Sequence, residues 1–170
     1  MRILHGERLS GIIIETEAYR GEEDLACHAR AGRTPRTKVM YGPPGFAYIY
    51  FNYGIHWLFN FVAGPVNHPA AVLLRAIHPM ESIEIIARHR AGQKPKNWCN
   101  GPAKICQAFA INGSLNGHPL CSKNSEIWIE DGEPVPENLI QAGPRVGIQN
   151  VPEPWRSKPW RYIAHMPFDH

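Results

Sequence analysis

No apolar run in the chain approaches the roughly 20 residues that a bilayer-spanning helix needs. At the start, His5, Gly6, Glu7 and Arg8 interrupt any stretch that would serve as a secretory signal. The four cysteines, Cys27, Cys99, Cys106 and Cys121, form no C-x-x-C pair and no zinc-type spacing. Reduced thiols in an intracellular protein are the expectation. Internal repeats and low-complexity tracts are missing too, and the 16 prolines and 15 glycines are spread out as turn formers. A large excess of one charge is also lacking: the net charge is +3, a mild basic bias that permits a polyanionic partner. What remains is ordinary globular composition, 44% hydrophobic and 19% charged over 170 residues, enough for one domain with a real core.

Within that composition, Gly11-Ile12-Ile13-Ile14-Glu15-Thr16-Glu17-Ala18-Tyr19 stands out. Three consecutive β-branched residues nucleate a strand. Strand alternation puts Ile13, Glu15, Glu17 and Tyr19 on one side. Two carboxylates beside an aromatic ring are a costly choice for a plain core strand, and crowding opposes ionisation of both. The pattern suits acid–base chemistry at a reacting bond. The plainer alternative is a strand that surfaces at Glu15 with solvated acids.

Arg2-Ile3-Leu4-His5 reads as a strand, Gly6-Glu7 as a turn and residues 9–18 as the returning strand. Residues 20–44 are polar and turn-rich, with Arg30, Arg33, Arg36 and Lys38 clustered and His28 at their head. Such a loop can hold phosphates, although a solvated charged loop is the commoner outcome. Phe46-Ala47-Tyr48-Ile49-Tyr50-Phe51 and residues 55–61 are predicted to form a hairpin with Tyr53 at its tip. A large aromatic in a turn has little to pack against and calls for a partner. Residues 70–77 read as a buried strand whose cation, Arg75, needs a carboxylate from the opening strand. Pro79 is expected to start a helix over residues 79–90, with Met80, Ile83, Ile86 and Ala87 as its apolar stripe. A second helix is expected with Asn100 as N-cap, Pro102 in its first turn and Asn112-Gly113 as its stop. Its start, with Lys104 nearby, offers a phosphate seat. Residues 127–129, 145–148 and 160–164 are the last expected strands, and Trp155 and Trp160 are expected to cap the core.

Several ordered motifs together resemble the alkyladenine (3-methyladenine) DNA glycosylase family. They are Ile14-Glu15-Thr16-Glu17-Ala18-Tyr19, then Glu23-Asp24 and His28, then Thr34-Pro35-Arg36 and Pro44-Gly45. Tyr48-Ile49-Tyr50, Tyr53-Gly54, Asn60 and Val72-Leu73-Leu74-Arg75-Ala76 follow in the family order. Gly101-Pro102-Ala103-Lys104-Ile105-Cys106-Gln107-Ala108, Arg145-Val146-Gly147 and Lys158-Pro159-Trp160-Arg161-Tyr162 complete a likeness along nearly the whole chain.

The resemblance implies an α+β fold: one domain over residues 1–170, a mostly antiparallel curved sheet, a protruding β-hairpin and a few packed helices. It implies a monofunctional glycosylase that extrudes alkylated or deaminated purines and hydrolyses the N-glycosidic bond, leaving an abasic site. By that analogy Glu17 activates the water, with Arg75 and main chain near Val146 holding it. Tyr19, His28 and Tyr50 enclose the base, and Asn60 clashes with the 2-amino group of guanine. Tyr53 fills the vacated stack, while Arg33, Arg36 and Lys104 meet DNA. The expected partner is double-stranded DNA carrying damaged purines, bound by a monomer, with no membrane, cofactor or metal. The expected location is inside the cell with the DNA. Relatives usually carry a helix and strand ahead of the first hairpin, so the sequence is expected to lack that segment. Two other readings compete: a damaged-DNA-binding module without catalysis, and a phosphoesterase with Glu15, Glu17 and His28 as metal ligands.

Overall fold

The computed structural model describes the backbone of residues 2–4 and all of residues 6–167; His5, placed in the first strand by sequence, lies outside them. The strands are β1 (Arg2–Leu4), β2 (Glu7–Arg20), β3 (Ala47–Asn52), β4 (His56–Val62), β5 (Ala70–Glu81), β6 (Ile140–Gly143) and β7 (Arg161–Ala164). They form one antiparallel sheet in the order β3-β4-β5-β2-β7-β6, with β1 paired to β2 off that path. Two short helices, α1 (Ile83–His89) and α2 (Pro102–Ala108), complete an α+β architecture. None of the helices among the described residues is long and apolar enough to cross a membrane.

Alternation along the strands divides the sheet between two jobs. One face carries Leu9, Ile49, Phe59, Leu74 and Ile77, which pack with Ile85, Ile86, Ile105 and Phe109 into the main core. The other face carries Tyr48, Val62 and Ala71, packed under residues 27–41 in a smaller cluster with Cys27 and Met40. The pocket described below opens on this second face.

The central strand β2 changes face part-way. Ile13 was expected beside Glu15, Glu17 and Tyr19, but it packs on the main core opposite Ile77. Register shifts at Ile13/Glu15 and Glu15/Thr16 explain the change, because a bulge sets an extra residue against the partner strand and breaks the period of two. At the other end, Gly11 allows a close approach: a Cβ there would run into Ile77 Cγ2 and lie 2.7 Å from the His78 carbonyl.

The expected helix start at Pro79 is corrected. β5 continues to Glu81, Pro79 sits opposite Gly11 beside a register shift, and the helix begins only at Ile83. A proline is tolerated at such an irregularity, where the ladder is already broken. Met80 and Ile83 are consequently exposed, while Ile85 and Ile86 are buried. In α2 the N-cap is Gly101, not Asn100, whose Oδ1 accepts from Lys104 Nζ at 2.7 Å. That helix ends at Ala108, before the expected stop, because Ala110 turns the chain at φ +50°; Asn112 instead caps the next turn through the Ser114 N–H. Residues 127–129 and 145–148 are not strands. The first are anchored by Ile129 N–H to the Leu120 carbonyl, and the second use side chains as partners, as described below. The last sheet partner of β7 is β6, which the sequence reading missed.

The hairpin of β3 and β4 projects as expected. β4 pairs with β5 only through Asn60, Phe61 and Val62, so the outer part of the hairpin runs past the sheet. At its end, Tyr53 and Gly54 have φ of +50° and +68°, and Ile55 N–H donates to the Asn52 carbonyl at 3.1 Å. Positive φ at both central residues is the turn geometry that matches strand twist.

Candidate active site

Each of β2, β3, β4 and β5 sends side chains from the same face into one cavity of about 340 Å³. Glu17 and Tyr19 come from β2, Tyr50 from β3, Asn60 from β4 and Arg75 from β5, while His28 reaches in from the loop above. Tyr53 stands at the rim, 89% exposed. The seven residues assigned by sequence to catalysis, base enclosure and the hairpin tip are therefore brought together.

Glu17 is the most buried of them, at 0% exposure. A buried carboxylate costs several kcal/mol unless it is paired and hydrogen-bonded. Here its Oε1 accepts from Val146 N–H at 2.6 Å and its Oε2 from the Tyr19 hydroxyl at 2.9 Å. Arg75 Nε lies 3.4 Å from Oε1 and donates to Glu15 Oε1 at 2.8 Å. Glu15 Oε1 also accepts from Arg161 Nε at 2.6 Å, so two carboxylates and two guanidiniums balance across the floor. Arg75 thus has the carboxylate partner from β2 that its burial demanded.

The aromatic walls stay neutral. Burial pushes the Tyr19 phenol well above the ordinary tyrosine range, and the charge and hydrogen bond of Glu17 add to it. Burial raises Tyr50 in the same direction. Tyr48 lies behind, pushed up by burial to about 12, with its hydroxyl 2.9 Å from His28 Nδ1. The His28 ring meets Tyr50 edge-on at 4.5 Å. Asn60 is fixed by donation from Nδ2 to the Tyr48 carbonyl at 3.0 Å.

Burial, then the charges of Arg36 and Arg30, depress His28 to about 4. The ordinary histidine value is about 6.5, so the unfolded chain binds the extra proton between pH 6.5 and about 4. Stability from this group is intact above that window and falls as pH drops through it. We expect the His28 ring signals in nuclear magnetic resonance to remain those of a neutral imidazole from pH 7.5 to 5. A titration midpoint near the ordinary value would contradict this.

One buried pair was missed by sequence reading. Arg145 and Asp24 are both fully buried, and Arg145 Nη2 donates to Asp24 Oδ1 at 2.9 Å while Nη1 donates to Oδ2. Arg145 also donates to the carbonyls of Ala18 and Trp155, and its guanidinium stacks 4.6 Å from the Tyr19 ring centroid. Trp160 takes its place at 5.1 Å, and Trp155 packs on Trp160. These contacts hold residues 145–148 as an irregular segment and deliver the Val146 N–H to Glu17. Both residues lie in the motif strings, but 121 positions separate them, and nothing local marks a pair.

The three basic residues assigned to DNA do not line the cavity. Arg33 lies over Tyr41 at 5.6 Å, Arg36 over Tyr50 at 4.8 Å, and Lys104 is held by Asn100. The metal-ligand reading fails on geometry, since Glu15 and Glu17 flank Arg75 while His28 turns to Tyr48. Among the described residues no group of three or more His, Cys, Asp or Glu side chains gathers as a metal site. The four cysteines are free thiols.

The methylpurine-DNA glycosylase (MPG) family model matches residues 1–167. A protein of Carboxydothermus hydrogenoformans is 42% identical over 167 residues, covering 96% of this chain and 86% of that protein. One from Chlamydia abortus is 46% identical over 166 residues, covering 96% and 85%. One from Myxococcus xanthus is 42% identical over 156 residues, covering 92% and 74%. All three are provisionally named 3-methyladenine DNA glycosylases. Agreement of this depth along nearly the full length means that the chain belongs to the methylpurine-DNA glycosylase family.

Proposed function

We propose that this protein, acting as a monomeric single glycosylase domain, removes alkylated or deaminated purines from duplex DNA and leaves an abasic site. The observation that carries this reading is the fully buried Glu17 carboxylate, held by Val146 N–H, Tyr19 and Arg75 at the floor of an aromatic cavity. A carboxylate in that setting activates water for attack at the sugar C1′ carbon and stabilises the positive charge that develops there. The N-glycosidic bond breaks as the water oxygen bonds to C1′; the water proton passes to Glu17, and the bond electrons leave with the purine. Arg75 orients Glu17 and the water, and needs no cofactor to do so.

A base inside a duplex is out of reach, so the nucleotide must be extruded at a cost of a few kcal/mol. Stacking on Tyr19 and Tyr50, worth about 1–3 kcal/mol per base, offsets much of that cost. His28 closes the wall, and Asn60, immobilised on the Tyr48 carbonyl, opposes the 2-amino group of guanine. Tyr53 occupies the vacated stack as a wedge, which lowers the cost further. Arg33, Arg36 and Lys104 contribute phosphate contacts outside the cavity.

The reading is tested by a duplex panel containing 3-methyladenine, 7-methylguanine, hypoxanthine, ethenoadenine or undamaged guanine, followed by alkaline cleavage. Strand scission only after alkali, at one or more of the lesions, is expected; no scission at any of them rejects the reading. For the wedge, Tyr53→Ser is expected to weaken binding to an abasic-site duplex by roughly 10-fold, the value of one stacked ring. Equal dissociation constants for variant and wild type would remove Tyr53 from that role.

A further inference from the structure

The two tyrosine walls of the cavity are each backed by a guanidinium that stands outside it. Arg145 lies 4.6 Å from the Tyr19 ring centroid and Arg36 lies 4.8 Å from that of Tyr50, and neither lines the cavity. Arg36 and Tyr50 instead share a separate shallow groove with Pro35, Phe51 and Trp57. A base in the slot would therefore be the middle layer of a stack with cation and ring on both sides.

The two cations differ in one respect. Arg145 is neutralised by Asp24, just as Arg75 and Arg161 are balanced by Glu15 and Glu17. Arg36 has no carboxylate partner among the described residues, and its Nη2 lies 3.5 Å from His28 Nε2. A guanidinium on one face of a phenol ring draws on the electron density that would otherwise attract a cation to the opposite face. It also acts directly through space.

We infer that Arg36 is a specificity-determining residue, seated on the outer face of Tyr50, that shifts the slot's preference away from cationic purines toward neutral ones. This rests on the slot being the base-binding site proposed above. Bare tyrosine walls would favour an N-alkylated purine, which carries a formal positive charge, over a neutral deaminated one. A base on the inner face of Tyr50 lies about 8 Å from the guanidinium, where a surface charge pair, partly screened by salt, alters a ratio about three- to tenfold. The depressed His28 shows the same positive field reaching the pocket wall, with Arg36 named after burial among its causes.

The test uses the full chain and two lesions in one duplex sequence. One carries 7-methylguanine on a 2′-fluorinated sugar, which keeps the cation and resists hydrolysis; the other carries neutral hypoxanthine on the same sugar. Dissociation constants for wild type, Arg36→Gln and Arg36→Lys are each divided by that for the undamaged duplex, which cancels any lost phosphate contact. The glutamine variant is expected to raise the preference for the cationic base about three- to tenfold, and lysine to restore most of the wild-type ratio. A ratio unmoved by glutamine overturns the inference, as does failure of wild type to prefer either lesion over undamaged DNA. A ratio that moves in a protein that releases no purine upholds Arg36 and rejects the catalytic reading instead.

Discussion

Glu17→Gln is expected to slow single-turnover release of an alkylated purine by about 10²–10⁴-fold, the usual worth of a general base. The fold should survive, because the amide oxygen still accepts the Val146 N–H and Arg75 keeps Glu15 at 2.8 Å. Alanine would be a poorer choice: it would take away the acceptor of the part-buried Val146 N–H, at up to about 1–3 kcal/mol. The carboxylate's charge is what the glutamine substitution removes, and with it the proton acceptor and the counter-charge that the proposed mechanism assigns to Glu17. Lesion binding measured alongside should change far less than release. That combination would also separate an enzyme from a module that only binds damage. Release within twofold of wild type would take Glu17 out of the mechanism.

Asp24→Asn is expected to have the largest effect on stability. Removing one partner of a fully buried ion pair costs about 3–5 kcal/mol, because the remaining charge is left without compensation. A domain of this kind has a total stability of about 5–15 kcal/mol. The asparagine amide would also present N–H groups to a guanidinium that has only donors. A large fall in the denaturant midpoint is the measurable result, and an unchanged midpoint would contradict the role of the pair. Excision should fall further than the folded fraction does. Arg145 stacks on Tyr19 and precedes Val146, so its displacement disturbs two of the groups that hold Glu17.

The strands and the hairpin were legible from β-branched runs and turn residues, and alternation put Glu17 and Tyr19 on one side of β2, whereas His28, Tyr50 and Asn60 were placed in the pocket by the family resemblance. Alternation misled at Ile13, because a bulge is set by how two strands pair and leaves no local mark. A different signal misled at Pro79, where proline ordinarily marks a helix start but here occupies an irregular strand position. Residues 145–148 read as a strand from Val146 and Ile148. Their backbone instead follows the contacts of Arg145 with Asp24, Ala18 and Trp155, all distant in sequence. The need of Arg75 for an acid was readable, whereas the partner of Arg145 was not, since the first cation sat in an apolar run and the second among turn formers.

Tyr53 has a cost that its exposed position hides. A bulky side chain at φ +50° is strained, of the order of 1–3 kcal/mol, where glycine or asparagine would turn the corner almost freely. Selection for heat resistance alone would therefore discard the phenol, and Tyr53→Gly should melt at a higher temperature than the natural chain. Keeping the ring at that corner trades thermal endurance for a phenol held out at the end of the hairpin.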